Sequence, residues 1–66
     1  MKNKLKELRQ KENISQDDLA AILKVSRQTI NSIETGKFDP SLKLVTKMTK
    51  YFNIGLEQIF IYEEEK

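Results

Sequence analysis

The sequence contains neither cysteine nor histidine, and their absence excludes several kinds of site. Without cysteine there is no disulfide and no thiolate zinc site, and without histidine the commonest remaining metal ligand and acid-base group is missing. No apolar run approaches the roughly 20 residues that cross a bilayer, and residues 1–4 lead into an amphipathic pattern rather than a signal-peptide core. We therefore expect a cytoplasmic protein with no metal, no cofactor, no small-molecule ligand and no membrane contact.

The 66 residues are enough for one domain near the lower limit for unaided folding. Because no repeat, linker or low-complexity stretch interrupts them, we treat residues 1–66 as a single domain. The net charge of +2 is unevenly distributed, since residues 1–50 carry eleven Lys/Arg against six Asp/Glu, whereas residues 51–66 carry one Lys against four Glu. We expect the acidic end to face away from any polyanion.

Periodic apolar residues predict an all-α fold of five helices. Helix 1 covers about residues 3–12, helix 4 covers about residues 42–52, and a short fifth helix follows Gly55. Helices 2, 3 and 4 begin after the predicted N-caps Ser15, Ser26 and Ser41. The residues predicted to face the core are Leu5, Leu8, Leu19, Ile22, Leu23, Ile30, Ile33, Leu44, Val45, Met48, Phe52, Leu56, Ile59 and Phe60.

Only Lys24 and Val25 separate the pattern of helix 2 from that of helix 3. So short a turn forces two helices to cross steeply and leaves the second as a rod that fits the DNA major groove. Asp18 lies where the acid of a capping box belongs, and Gly36 is the expected left-handed stop after helix 3. The spacing is typical of a helix-turn-helix.

From about Leu5 to Phe60 the chain resembles the Cro/repressor-type helix-turn-helix family. With Gln16 as the first of the twenty motif positions, the family's small residue is matched by Ala20 and its apolar residues by Leu19, Leu23, Val25, Ile30 and Ile33. Residues 14–16, 25–30 and 40–42 are also typical of the family. The resemblance implies an ion pair between Arg9 and Glu34. Lys24 departs from it, because the family often has Gly there, and a left-handed lysine costs about 1 kcal/mol.

Helix 3 presents a polar stripe opposite Ile30 and Ile33. Its members are Arg27, Gln28, Asn31, Ser32 and Thr35. Short neutral groups that donate and accept, together with one Arg, can read base edges, whereas a face built for solubility usually carries Lys and Glu. We interpret the first four as base contacts. A phosphate contact is the alternative for Arg27, and an ordinary solvated face is the alternative for the whole stripe.

Phosphate contacts are expected at helix N-termini and along the basic rim of the domain. The resemblance points to the start of helix 2 and to the loop and helix 4 start that flank the groove. The predicted phosphate contacts are Gln16, Thr35, Lys37, Ser41 and Lys43. Simple solvation is the alternative for each lysine, and it is our interpretation of Lys47 and Lys50.

A single helix 3 reads few base pairs, so the resemblance implies a two-fold homodimer whose recognition helices enter successive major grooves about 34 Å apart. The predicted dimer surface is the C-terminal apolar run Leu56, Ile59, Phe60, Ile61 and Tyr62, with residues 61–66 as dimerisation strand and tail. Similarity to small cytolysin-operon repressors of this family implies a strand at residues 61–63 beside residues 2–4. The alternative is that Ile61 and Tyr62 fold back onto their own core.

The combined interpretation is a sequence-specific regulator of transcription that represses by binding a palindromic operator in double-stranded DNA. A protein-interaction module is the first alternative from another class, and it requires exposed apolar surface beyond residues 56–62. An enzyme is disfavoured because the sequence lacks His, Cys and a Gly-rich phosphate loop, and its acidic residues lie at caps and in the tail.

Overall fold

The computed structural model describes residues 2–61, which form four α-helices, one 3-10 turn and a two-stranded sheet. In chain order the elements are β1 (Lys2–Asn3), α1 (Leu5–Lys11), α2 (Gln16–Leu23), α3 (Arg27–Glu34), α4 (Leu42–Phe52), the 3-10 turn (Leu56–Gln58) and β2 (Phe60–Ile61). The two strands are antiparallel, with Lys2 opposite Ile61 and Asn3 opposite Phe60. Residues near the two ends of the described chain therefore lie side by side.

Serine hydroxyls fix the starts of three helices at the predicted positions. The Ser15 hydroxyl accepts from the backbone N–H of Asp18 at 3.0 Å, and the Asp18 carboxylate accepts from the Ser15 N–H at 3.1 Å. Ser26 and Ser41 accept from the N–H three residues ahead at 3.1 and 3.2 Å. Each cap satisfies an N–H that has no partner inside the helix, which stabilises the helix by about 1 kcal/mol.

Left-handed residues end the helices. The φ angles of Asn13, Lys24 and Asn53 are 58°, 61° and 57°, and that of Gly36 is 78°. Asparagine and glycine adopt this conformation readily, whereas a lysine Cβ crowds the following carbonyl. The left-handed Lys24 turns the chain from α2 into α3, and the N–H of Val25 donates back to the Ala20 carbonyl at 2.9 Å. The tight turn between α2 and α3 thus carries a small local strain.

The core is built from the apolar stripe of each helix together with Ile59. Its fully buried side chains are Leu5, Leu19, Leu23, Ile30, Ile33, Met48 and Ile59. Ala20 is also buried, and its small side chain allows α2 and α3 to pack closely. Truncating one of the large core residues to alanine typically costs about 2–5 kcal/mol. Ile30 and Ile33 therefore hold α3 firmly by one face.

The predicted fifth α-helix is instead a single 3-10 turn, Leu56–Gln58. Ile59 and Phe60 are both buried, and Phe60 also pairs with β1, so the chain must extend directly after the turn. The sequence predicts that Leu56 faces the core, but its side chain is 49% exposed. The three residues between Gly55 and Ile59 are too few for an α-helix with an inward face.

The predicted C-terminal strand lies one residue earlier than expected and pairs with residues 2 and 3 of the same chain. Residues 62 and 63, which the prediction includes, lie outside the described residues. Helix α1 begins at Leu5 rather than Asn3 because Asn3 belongs to the sheet. The Asn3 side chain accepts from the Leu5 N–H at 3.1 Å and donates to the Ile33 carbonyl at 2.8 Å.

The sequence predicts a buried Ile22, yet this side chain is 43% exposed. The buried residues of α2 are Leu19, Ala20 and Leu23. Ile22 lies at the edge of this stripe, where it lines a shallow surface depression with Tyr51 and several lysines. Helical spacing alone places it near the core but does not fix which edge the neighbouring helices cover.

Candidate nucleic-acid interface

Helix α3 has one face buried in the core and one exposed polar face. Ile30 and Ile33 are fully buried, whereas Arg27, Gln28 and Asn31 are exposed and together line one shallow depression. Within residues 2–61 the side chains of these three polar residues make no hydrogen bond or ion pair. Their donors and acceptors are therefore available to a ligand, on a helix whose opposite face is buried in the core.

Two further residues of the predicted stripe, Ser32 and Thr35, are less available for contacts with a ligand. Ser32 is half-buried, and its carbonyl accepts from the N–H groups of Lys37 and Phe38 at 2.9 and 3.2 Å. The Thr35 hydroxyl donates back to the Asn31 carbonyl at 3.0 Å. Thr35 is exposed, and its hydroxyl oxygen can still accept.

The residues predicted to contact phosphate lie at helix starts and in the loop after α3. Gln16 is the first residue of α2, and Ser41 caps α4. The Ser41 oxygen accepts from the Leu44 N–H, which leaves its own O–H as a donor. Lys37 and Lys43 are exposed on either side of Ser41 in the sequence. Backbone N–H groups and ammonium groups of this kind suit a phosphate backbone.

Arg9 and Glu34 form a buried ion pair that joins α1 to the end of α3. Arg9 Nε lies 2.7 Å from Glu34 Oε2, and Arg9 Nη2 lies 3.2 Å from Oε1. The side chains are only 11% and 3% exposed. Arg9 Nη1 also donates to the Ile14 carbonyl at 3.0 Å, and Gln16 Nε2 donates to Glu34 Oε1 at 3.0 Å. The pair therefore links α1, the start of α2 and the end of α3.

The contact between Gln16 and Glu34 is not expected from the sequence. The sequence predicts that the Gln16 side chain reaches a phosphate, whereas the structure places its amide nitrogen on Glu34. The sequence does mark these two residues, because Gln16 is the first residue of helix 2 and Glu34 is the last residue of helix 3. Spacing alone could not show that the two ends meet.

Lys47 is a second residue whose role the sequence does not reveal. The sequence indicates a solvated lysine, but its Nζ donates to the Leu23 carbonyl at 3.2 Å. Leu23 is the last residue of α2, where carbonyls lack helical partners and a positive charge is favourable. Lys47 therefore fastens α4 to the end of α2.

The predicted C-terminal contact surface is smaller than expected. Ile59 is fully buried and Phe60 almost so, which removes Ile59 from any exposed surface. Ile59 packs in the core of its own chain because the chain turns inward after the 3-10 turn. Leu56 and Ile61 remain 49% and 39% exposed. Tyr62 lies outside the described residues.

An apolar groove runs between this segment and α4. Its lining residues are Asp39, Pro40, Val45, Leu56, Glu57, Phe60 and Ile61. The sequence does not predict Pro40 or Val45 as part of a contact surface. Neighbouring Phe38 and Leu42 are also exposed. Apolar surface gathered in this way marks a candidate interaction site.

No helix within residues 2–61 is long and apolar enough to cross a bilayer. In the same part of the chain, no group of three or more acidic residues comes together as a metal site. The chemistry that the described surface offers is hydrogen bonding from α3, positive charge on exposed lysines such as Lys37 and Lys43, and apolar contact at the groove.

A short turn between two crossed helices, with the second buried on one side and polar on the other, defines a helix-turn-helix DNA-binding domain. The helix-turn-helix family model matches residues 5–59. The chain therefore belongs to the helix-turn-helix family of Cro/repressor type, whose members are transcriptional regulators and not enzymes.

Two relatives match almost end to end. An HTH-type transcriptional regulator of Methanocaldococcus jannaschii is 58% identical over 66 residues, which is all of both chains. The HTH-type transcriptional regulator YgzD of Bacillus subtilis is 46% identical over 65 residues, or 98% of each chain. The fold is similar to that of the restriction-modification controller protein C.AhdI from Aeromonas hydrophila, with a TM-score of 0.75 and 28% identity over 85% of each chain.

Proposed function

We propose that this regulator is a homodimer that binds a palindromic operator and represses transcription by occluding a promoter. The observation that carries the proposal is the free stripe of Arg27, Gln28 and Asn31 on a helix fixed in the core by Ile30 and Ile33. A rigid helix with uncommitted polar groups suits the major groove, where each base pair presents its own pattern of donors and acceptors.

The side chains of the stripe match base edges in their hydrogen-bonding groups. Arg27 can donate two bonds to guanine, and Gln28 and Asn31 can each bond both a donor and an acceptor of adenine. Ser32 can donate or accept, although it is half-buried. We assign base contacts to these four residues, and each bidentate contact discriminates against a wrong base by about 1–3 kcal/mol.

The phosphate contacts in this proposal position the dimer without reading sequence. The assigned residues are Gln16, Thr35, Lys37, Ser41 and Lys43. Their support is their place around α3, at two helix starts and in the loop that follows it. The positive charge of residues 1–50 favours the same partner.

We assign the dimer contact to the apolar groove. Leu56 and Ile61 project apolar surface into it, and Pro40 and Val45 form its other wall. In a two-fold dimer the same surface lies on both subunits, so an apolar groove flanked by exposed apolar side chains can pair with its own copy. Phe60 contributes its small exposed edge, and Tyr62 remains a sequence prediction for this surface.

Selection from random-sequence DNA tests the proposal. The protein is incubated with a pool of random duplexes, and the retained fraction is sequenced. We expect a palindromic consensus with half-site centres about one helical turn apart. A consensus with one half-site only would contradict the homodimer, and no enrichment would contradict sequence-specific binding.

A reporter assay tests the direction of regulation. The selected site is placed across a promoter, and the regulator is supplied from a second plasmid. We expect reporter transcription to fall, and the Asn31→Ala variant to restore it. A rise in transcription would contradict repression while leaving operator binding intact.

A further inference from the structure

We propose that Glu34 is a positioning residue, which orients the Gln16 carboxamide so that its nitrogen, rather than its oxygen, is presented to a DNA phosphate. The inference rests on the proposed function, because it takes Gln16 as a phosphate contact. It gives Glu34 a role in DNA binding in addition to its structural ion pair with Arg9.

The geometry of the Glu34 carboxylate fixes which end of the amide faces it. Oε1 of Glu34 lies 3.0 Å from the Gln16 side-chain nitrogen and 3.2 Å from Arg9 Nη2, while Oε2 lies 2.7 Å from Arg9 Nε. An ionised carboxylate accepts hydrogen bonds and cannot donate them. The group of Gln16 that faces it must therefore be the NH2 group, since the amide oxygen would meet another acceptor.

This orientation suits a phosphate. A phosphate oxygen is also an acceptor, so Gln16 can contact it only through an N–H. The amide nitrogen carries two N–H groups, and Glu34 takes one, which leaves the other for the phosphate. Without Glu34 the amide would be free to rotate and could present its oxygen, which a phosphate oxygen repels. Fixing the amide on binding would then cost rotamer freedom. Gln16 is half-buried at the start of α2, where N–H groups already favour an anion.

Arg9 makes the arrangement compatible with a polyanion. An unpaired carboxylate beside a phosphate would repel it. Two hydrogen bonds from the Arg9 guanidinium offset the charge of Glu34, whose side chain is only 3% exposed. Glu34 can thus orient the amide from behind without presenting its own charge to the DNA.

A double-mutant cycle on DNA affinity tests the inference. The probe is one fixed duplex of arbitrary sequence, about three helical turns long and at low salt, because a phosphate contact acts on any sequence. The variants are Gln16→Met, which removes the amide at similar length, Glu34→Gln, which keeps the shape but adds its own NH2 group, and the double variant. Gln10→Met on the exposed face of α1 is the matched control. Circular dichroism establishes the folded fraction of each protein at the assay temperature.

We expect Gln16→Met to weaken binding about tenfold per protomer, the size expected for one hydrogen bond to a charged group. Glu34→Gln should weaken it several-fold, because the substituted side chain can offer its own N–H to the Gln16 oxygen and so turn the Gln16 amide around. The double variant should bind no more weakly than Gln16→Met alone, and Gln10→Met should bind like the wild type.

A purely structural role for Glu34 gives a different pattern. Its substitution would then weaken binding by the same factor whether or not Gln16 is present. Such additive effects would overturn this inference and leave the proposed function standing. An unchanged affinity in Gln16→Met would also overturn it, since no phosphate contact would remain to be positioned. If selection from random-sequence DNA enriched no site, the proposed function would fall and this inference with it.

Discussion

Substitution of Arg9 should be among the most damaging single changes to this domain. The Arg9 and Glu34 side chains are 11% and 3% exposed, so neither charge is well solvated. Removing one partner of a buried pair leaves the other charge unpaired and typically costs about 3–5 kcal/mol. A domain of this size has a total stability of about 3–10 kcal/mol, at about 0.05–0.15 kcal/mol per residue. Arg9→Met, which keeps the aliphatic stem, is therefore expected to lose a third or more of it.

The double variant Arg9→Met with Glu34→Met separates the charge from the shape. With both charges gone, most of the loss should be recovered. The remaining deficit comes from the Ile14 carbonyl and the Gln16 amide, which lose their partners at about 1 kcal/mol each. Lys11→Met on the exposed face of the same helix is the control, and it should change stability by less than about 0.5 kcal/mol.

Urea unfolding followed by far-ultraviolet circular dichroism measures these free energies by linear extrapolation. If Arg9→Met is unfolded without urea, its loss exceeds the whole stability, and the double variant carries the comparison. A loss in Arg9→Met below about 1 kcal/mol would refute the reasoning, since a buried unpaired charge costs several times more. The single variant Glu34→Met completes the cycle. A double variant that loses as much stability as Arg9→Met and Glu34→Met added together would also refute the reasoning, because the penalty would then not come from the unpaired charge.

Other substitutions test the turn, the recognition helix and the dimer surface. Lys24→Gly should raise the free energy of unfolding by about 0.5–1 kcal/mol in thermal melts, because glycine adopts φ near 61° without a Cβ clash, and Lys24→Ala should show no such gain. Asn31→Ala should cost about 1–3 kcal/mol on the selected operator and almost nothing on an unrelated duplex, and equal losses on both would contradict base readout. Leu56→Glu should shift the protein to monomer in sedimentation equilibrium while Lys50→Glu leaves the dimer intact, and a persisting dimer would place the interface elsewhere. If the dimer neutralises about six to ten phosphates, affinity should fall about 10³ to 10⁵-fold between about 50 and 200 mM salt in a fluorescence titration, and a flat response would exclude that mode.

Local chemistry made much of the helical framework predictable. Ser15, Ser26 and Ser41 each cap the helix that follows, because the capping hydrogen bond spans only three residues. Asn13 and Gly36 end their helices for a similar local reason, since each can adopt a left-handed φ. The bounds of α4 followed from the same signals together with its apolar stripe.

The features that the sequence could not predict depend on contacts between distant residues. The chain after Gly55 forms a 3-10 turn because β1, at the opposite end of the described chain, pairs with Phe60 and Ile61. Ile22 is exposed because the helices that pack on α2 cover Leu19 and Leu23 instead. At the candidate site, the polar stripe of α3 follows from helical spacing, whereas the contact of Gln16 with Glu34 depends on how α2 and α3 cross.

Asn3 joins the β1–β2 pair to the recognition helix α3. Asn3 lies in that pair opposite Phe60, and its side-chain amide also holds the carbonyl of Ile33 near the end of α3. A force applied at Asn3 would therefore reach the end of α3 through one hydrogen bond. Residues 2 and 61 lie opposite each other, and Ile61 also lines the groove, so a substitution in this strand pair changes the fold and the proposed dimer surface together.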